Sequence, residues 1–278
     1  MDPLVTPAWL ANEIGAPDLR VLDATWFLPD AGRDPRAEFE GAHLPGAQFF
    51  DIAALSDPDS PFPTMLPDPA RFAAAMSALG IDGSTRVILY DRAPHHTSTR
   101  AWWMFRAFGF DRVAILDGTV EAVASLGHPL TTAAAAFPPT RFAAQPDPTR
   151  VRSIDQMKAN LTSNAEQVTD ARSRARFTGQ EAETRPGLAG GHIPNSFNTP
   201  YSAFFGADGR WKDAAQIRSL LEAEGIDTDR PIVATCGSGI SAAVIVFALH
   251  LLGRDAALYD GSWTEWGSDP STPKACGA

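Results

Sequence analysis

Pro231-Ile232-Val233-Ala234-Thr235-Cys236-Gly237-Ser238-Gly239-Ile240-Ser241-Ala242 is the stretch that decides the fold. Its opening residues are apolar and partly β-branched, which reads as a short buried strand. A glycine-bearing loop follows. The apolar segment 242–252 beyond it can form a helix that starts near Ser241 and is ended by Gly253. A strand that passes through a loop into a helix belongs to an α/β domain with a mostly parallel sheet.

Working outward, the same pattern occurs once before. Val87-Ile88-Leu89-Tyr90-Asp91 corresponds to Ile232-Val233-Ala234-Thr235-Cys236, and the helical segment 100–108 after it is ended by Gly109. Three more landmarks recur in the same order. Val21-Leu22-Asp23-Ala24 is echoed by Val168-Thr169-Asp170-Ala171, and His43-Leu44-Pro45-Gly46 by His192-Ile193-Pro194-Asn195. Ala114-Ile115-Leu116-Asp117-Gly118 returns as Ala257-Leu258-Tyr259-Asp260-Gly261. The offsets, taken in chain order, are 147, 149, 145 and 143 residues. Ordered landmarks at nearly constant spacing imply an internal duplication. We therefore expect two homologous α/β domains, each a mostly parallel sheet flanked by helices. Their expected bounds are 1–140 and 151–278, joined by a linker at 141–150 in the proline-rich segment 137–150.

The chain has 278 residues, 44% of them hydrophobic and 20% charged, the balance of a folded globular protein. Its net charge of −10 argues against a nucleic-acid partner, which would call for a basic excess. Two cysteines, Cys236 and Cys276, exclude a disulfide framework and a multi-cysteine metal site. The start, Met1-Asp2-Pro3-Leu4-Val5, lacks a basic region followed by an apolar run, and the apolar stretch 242–252 is too short to span a bilayer. The expectation is a soluble cytoplasmic protein.

Chemistry concentrates at the loop after the second strand. In a parallel sheet, ligands bind beyond the carboxyl ends of the strands, where Cys236 would lie. Loop N–H groups and a helix N-terminus create positive potential there, which favours the nucleophilic thiolate. Other readings of the loop fit less well. A cysteine phosphatase needs arginine six residues after the cysteine, and Ala242 stands there. The hydrolase elbow G-x-S-x-G fails because Cys236 and Ile240 flank Ser238. Gly237-x-Gly239-x-x-Ala242 does match a dinucleotide fingerprint, with Asp260 about 20 residues on. Only 18 residues follow Asp260, too few for the further βαβ units of that fold. The equivalent loop of the first half, Asp91-Arg92-Ala93-Pro94, has no glycine.

An acidic protein that handles anions must gather its arginines locally. Arg172, Arg174, Arg176 and Arg185 lie within 14 residues ahead of the loop, a composition suited to carboxylate or phosphate. The aromatic run Trp102-Trp103-Met104-Phe105-Arg106-Ala107-Phe108 reads as helix packing.

The residues resemble the tandem-rhodanese sulfurtransferase family over essentially the whole chain. The likeness rests on Leu22-Asp23-Ala24-Thr25-Trp26, His43-Leu44-Pro45-Gly46-Ala47, Phe49-Phe50-Asp51-Ile52, residues 102–109 and Tyr259-Asp260-Gly261-Ser262-Trp263. Most specific is Thr235-Cys236-Gly237-Ser238-Gly239, similar to the C-G-S-G-[VI]-[TS]-A loop of the 3-mercaptopyruvate branch. Thiosulfate-preferring members carry basic residues after the cysteine, where this chain has neutral Gly237 and Ser238.

The resemblance implies two rhodanese domains, only the second catalytic, since Asp91 takes the cysteine position in the first. That first domain would contribute to the cleft between the two. Cys236 would attack the sulfur of 3-mercaptopyruvate, forming a persulfide and releasing pyruvate, with Ser238 assisting proton movement. The resemblance gives Arg176 and Arg185 the donor's carboxylate and keto oxygen, and makes Arg100 a further cleft arginine. Gly237, Gly239, Ile240 and Ser241 would complete the donor-binding loop and stabilise the anionic persulfide. A thiol acceptor, such as thioredoxin or a small thiol, or cyanide would remove the outer sulfur. No metal or organic cofactor, nucleic acid or membrane is implied.

One departure stands out. Thr64 in Ser60-Pro61-Phe62-Pro63-Thr64-Met65 replaces the branch's usual histidine, and Ala53 replaces that histidine's acidic partner. A Ser-His-Asp relay is thereby weakened, which keeps thiosulfate:cyanide transfer and a low-turnover persulfide carrier as alternatives. Cys276 would be a frayed-terminus thiol, or a relay in the carrier reading. His43 and His192 belong to the repeated turn and read as structural.

Overall fold

The computed structural model describes residues 1–183, 185 and 187–277. They form two compact units, one of residues 1–58 and 66–147, the other of residues 59–65 and those from Pro148 onward. The short segment 59–65 thus groups with the second half of the chain.

The first unit holds β1 (Leu4–Val5), β2 (Leu19–Asp23), β3 (Ala47–Phe49), β4 (Arg86–Tyr90) and β5 (Val113–Leu116). They form one parallel sheet in the order β1-β5-β4-β2-β3. The second unit repeats it with β6 (Val151–Arg152), β7 (Gln167–Asp170), β8 (Phe197–Asn198), β9 (Ile232–Thr235) and β10 (Ala257–Tyr259), ordered β6-β10-β9-β7-β8. All of its pairings are parallel too. The two orders match strand for strand, as duplication requires. Parallel sheets bury both faces, which is why β4 and β9 are near-continuous apolar runs. Among the described residues no helix is long and apolar enough to cross a membrane.

Local sequence sets the helix starts. Asp34-Pro35 and Asp68-Pro69 each place an aspartate cap before a proline in the first turn, and each carboxylate accepts two N–H groups. The two helices that follow the central strands are largely buried. Ser98–Ala107 begins two residues ahead of the expected segment, and Ala242–Leu251 is buried along almost its whole length. Phe105 and Phe108 pack on Phe72, so the aromatic run is helix packing, as its pattern suggests. Phe142, in the proline-rich segment, joins this cluster against Phe72 and Phe110 and is itself buried.

The two histidine turns are copies of one device. His43 Nδ1 lies 2.7 Å from the Phe39 carbonyl with the two rings stacked at 4.1 Å. His192 Nδ1 lies 2.8 Å from the Phe177 carbonyl, its ring stacked on Phe177 at 3.8 Å. Each histidine also forms an antiparallel bridge, with Thr131 and Ala275 respectively. These side chains bind their own fold, which accounts for the repeat of the turn.

Candidate active site

β9 ends at Thr235, so Cys236 is the first residue beyond the carboxyl end of a central strand. Its exposure is 1%. The segment that opens the Ser262–Ser268 helix holds the loop from behind. The Cys236 N–H donates to Ser262 Oγ at 3.2 Å, and that hydroxyl donates to the Tyr259 carbonyl at 2.8 Å. Trp263 N–H donates to the Cys236 carbonyl at 2.9 Å. Thr264 supplies the Gly237 carbonyl with two donors, its N–H at 2.9 Å and its hydroxyl at 2.6 Å. A trans peptide points its N–H opposite its C=O, so the Gly237–Ser238 peptide turns the Ser238 N–H away from Thr264.

Beyond this point Gly239 has φ +78°, a left-handed backbone that favours glycine. Ser238 and Ile240 are buried, and Ser241 stands immediately before the Ala242–Leu251 helix without a side-chain capping bond. In its first turn the Ala243 N–H donates to the Ile240 carbonyl at 3.2 Å and the Val244 N–H to the Ser241 carbonyl at 3.1 Å, and the N-terminal end of the helix dipole lends the strand end positive potential.

Two arginines add full charges to this potential. Arg176 lies in the short helix Arg174–Phe177, capped by Ser173. Its guanidinium rests on the loop: a β-carbon built on Gly237 would be 3.3 Å from Arg176 Nη2. Arg185 donates to Thr264 Oγ1 at 2.5 Å, the same hydroxyl that holds the Gly237 carbonyl. Burial lowers the Arg185 pKa from its ordinary value, and the like charge of Arg176 adds to that lowering. Cys236 and Glu183 act in the opposite direction.

Glu183 is the buried counter-ion of the cluster. Its carboxylate lies 2.5 Å from Arg176 Nη2 and 2.6 Å from Arg172 Nη1. Arg172 is enclosed: it pairs with Asp170 at 2.6 Å, donates to the Gly191 carbonyl at 2.8 Å and sits 4.6 Å from the Trp263 ring centroid. Arg174 faces outward and pairs with Glu224. The four-arginine run therefore divides into one arginine for the core, one for the surface and two beside the loop.

In the first unit the corresponding place is filled by the Asp91 carboxylate. It accepts the N–H of Ala93 at 2.9 Å and the N–H of Ser98, at the start of the following helix, at 2.8 Å. Burial pushes the Asp91 carboxyl up from its ordinary pKa. That half keeps a cradle for negative charge but fills it with its own side chain. Arg100 lies in this first unit, wholly buried, its guanidinium 4.4 Å from the Trp103 ring centroid.

Sequence reasoning did not single out Glu183 or Thr264. Glu183 follows Arg176 by seven residues, and an acidic residue in an arginine-rich run is a signal that could have marked it. Thr264 carries none, because a threonine after Trp263 has no pattern of its own. Thr64 is brought to the loop, where its hydroxyl lies 2.6 Å from the Ser238 carbonyl oxygen. The tail carrying Cys276 is tied down rather than frayed: Ala275 bridges His192 and the Gly277 N–H donates to the Thr178 carbonyl.

Comparison with known proteins bears on the fold and the family. The model of the rhodanese-like domain matches residues 6–126 and again 153–269. The human 3-mercaptopyruvate sulfurtransferase is 41% identical over 95% of this chain and 91% of its own length. The thiosulfate sulfurtransferase of Gallus gallus is 40% identical over 95% and 92%. The crystal structure of SseA, a 3-mercaptopyruvate sulfotransferase from Escherichia coli, superposes with a TM-score of 0.85 at 36% identity, covering 95% of this chain and 99% of that one. The two matches of the domain model coincide with the internal repeat, and the chain belongs to the rhodanese-like sulfurtransferase family, with two such domains in tandem.

Proposed function

We propose that the protein transfers sulfur from 3-mercaptopyruvate to a thiol or cyanide through a persulfide on Cys236. What carries this reading is that Arg176 and Arg185 both border the loop that Cys236 opens, Arg176 beside Gly237 and Arg185 through Thr264. A 2-oxo acid presents a carboxylate and a keto oxygen, and two guanidinium groups beside the nucleophile suit that pair.

In the proposed reaction the Cys236 thiolate attacks the donor's thiol sulfur and an S–S bond forms. The carbon–sulfur bond breaks, and its electron pair passes to the methylene carbon as the enolate of pyruvate. The proton from the donor thiol, relayed by Ser238, ends on that carbon. What remains is Cys236–S–S⁻ and pyruvate. Loop N–H groups preorganised toward the anion lower the barrier, because they need no reorientation as charge moves onto the outer sulfur. A thiol acceptor, thioredoxin or a small thiol in the cytoplasm, then takes the outer sulfur and restores the Cys236 thiolate; cyanide would leave as thiocyanate. Gly237, Gly239, Ile240 and Ser241 form the loop around the donor. Arg100 enters this proposal on the family resemblance.

The test compares pyruvate release from 3-mercaptopyruvate with thiocyanate formation from thiosulfate, using the native protein and Cys236→Ser. Strong pyruvate release that vanishes in Cys236→Ser supports the proposal. A preference for thiosulfate, the donor in the name of the Gallus gallus relative, moves the protein to that activity. A stable persulfide without turnover moves it to a carrier.

A further inference from the structure

Thr64 combines two unusual properties. It is β-branched yet has φ +59°, a left-handed conformation in which such residues are genuine outliers. It is also buried, with its hydroxyl 2.6 Å from the Ser238 carbonyl oxygen and 2.7 Å from that of Pro63. Backbone strain of this kind persists only where the surroundings over-determine it, and it concentrates at functional sites. Here the strain delivers one hydroxyl to one peptide of the Cys236 loop. The segment that carries it, 59–65, groups with the catalytic unit although its neighbours in sequence belong to the other.

We infer that Thr64 is a positioning residue for sulfur transfer, acting through the Ser238–Gly239 peptide. This inference rests on Cys236 being the sulfur carrier. The peptide is planar and trans, so fixing the Ser238 oxygen also fixes the Gly239 N–H, on the opposite edge of the same plane. A donor on the carbonyl also polarises the amide and strengthens its N–H as a donor. Gly239, at φ +78°, has a wide choice of backbone angles, and an external restraint narrows it. Thr264 restrains the Gly237 carbonyl in the same way. Two threonine hydroxyls thus clamp two successive carbonyls of the loop. Negative charge arriving on the outer sulfur meets N–H groups whose directions are already set.

The Thr64 hydroxyl is directed at the Ser238 carbonyl oxygen, so its part in this inference is to orient the loop. The test uses the full chain in a Cys276→Ser background, which leaves Cys236 as the only thiol. Thr64→Val keeps the branched shape and removes the hydroxyl. Thr64→Gly removes the hydroxyl and the strain together, and guards against a valine variant that fails to fold. Thr64→Ser restores the hydroxyl. Two readouts are taken: the kcat and KM of pyruvate release, and the rate of Cys236 alkylation by iodoacetamide at neutral pH.

Expected are falls in kcat of about tenfold or more for the valine and glycine variants, with KM within about threefold, because the lost interaction forms fully only in the transition state. Alkylation slows several-fold in the same two variants, and Thr64→Ser recovers both readouts. Valine or glycine variants that match the serine variant overturn the inference. So does activity that follows thermal stability across all three. If the native protein transfers no sulfur from any donor, the proposed function fails, and the alkylation rates still decide the role of Thr64.

Discussion

The Glu183 carboxylate lies 2.5 Å from the Arg176 guanidinium, and its side chain is only 1% exposed. The same carboxylate pairs with Arg172, so one acid anchors a core arginine and holds Arg176 beside the Cys236 loop. Breaking a buried pair by removing one partner typically costs about 3–5 kcal/mol, because the other charge is left uncompensated. Glu183→Gln should lower the melting temperature and raise the KM for 3-mercaptopyruvate about tenfold, with a smaller change in kcat. Thermal melts and steady-state kinetics check this. An unchanged KM would show that Arg176 needs no anchor.

Arg185 is held by geometry as much as by charge. Its tie to Thr264 at 2.5 Å leaves the planar fork oriented beside the loop, and lysine cannot reproduce a fork. Arg185→Lys should therefore raise the KM for the 2-oxo acid donor by about tenfold, since bidentate recognition of the donor is lost. Replacing 3-mercaptopyruvate by a donor without a carboxylate should erase most of the difference between the two proteins. Equal losses with both donors would argue against carboxylate binding.

Gly237 has an unstrained backbone, so alanine is acceptable to the main chain there. The obstacle is Arg176, whose Nη2 would be 3.3 Å from the new β-carbon. Gly237→Ala should push the guanidinium by a few tenths of an ångström. The expected result is a KM raised about three- to tenfold at nearly unchanged melting temperature, since displaced positioning groups cost rate without costing the fold. A fall in stability instead would place the steric conflict elsewhere.

His96 sets an acid limit on stability. Burial pushes its pKa down to about 4, from 6.5 for an ordinary histidine. Between those values the unfolded chain binds a proton that the folded chain does not, so stability falls as pH drops from about 6.5 to 4. The loss from this group by pH 4 is about 1–3 kcal/mol. His96→Asn should flatten the dependence, and asparagine suits the residue's φ of +50°. Melting temperatures of both proteins from pH 4 to 7.5 test this, and parallel curves would count against it.

Much of this protein is readable along the chain. The duplication is legible because its four landmarks are contiguous runs, and contiguous runs are where strand and turn preferences are written. Cys236 was legible for the same reason: strand, loop and helix follow one another within twelve residues. The arginine run was visible but undifferentiated. Composition reported four positive charges, while folding assigned Arg172 to the core, Arg174 to the surface and Arg176 and Arg185 to the loop.

What the sequence by itself determined is therefore the local grammar: two copies of a parallel α/β unit, a cysteine at the end of one central strand and an aspartate at the end of the other. Only the tertiary structure decided how the loop is held. Thr64 reaches Ser238 across 174 positions, Arg185 reaches Thr264 across 79, and Glu183 reaches Arg172 from outside any regular element. Such contacts have no period and no spacing, because they arise where separate segments are packed into one core. Burial then strengthens each of them, and that environment exists only once the chain has folded.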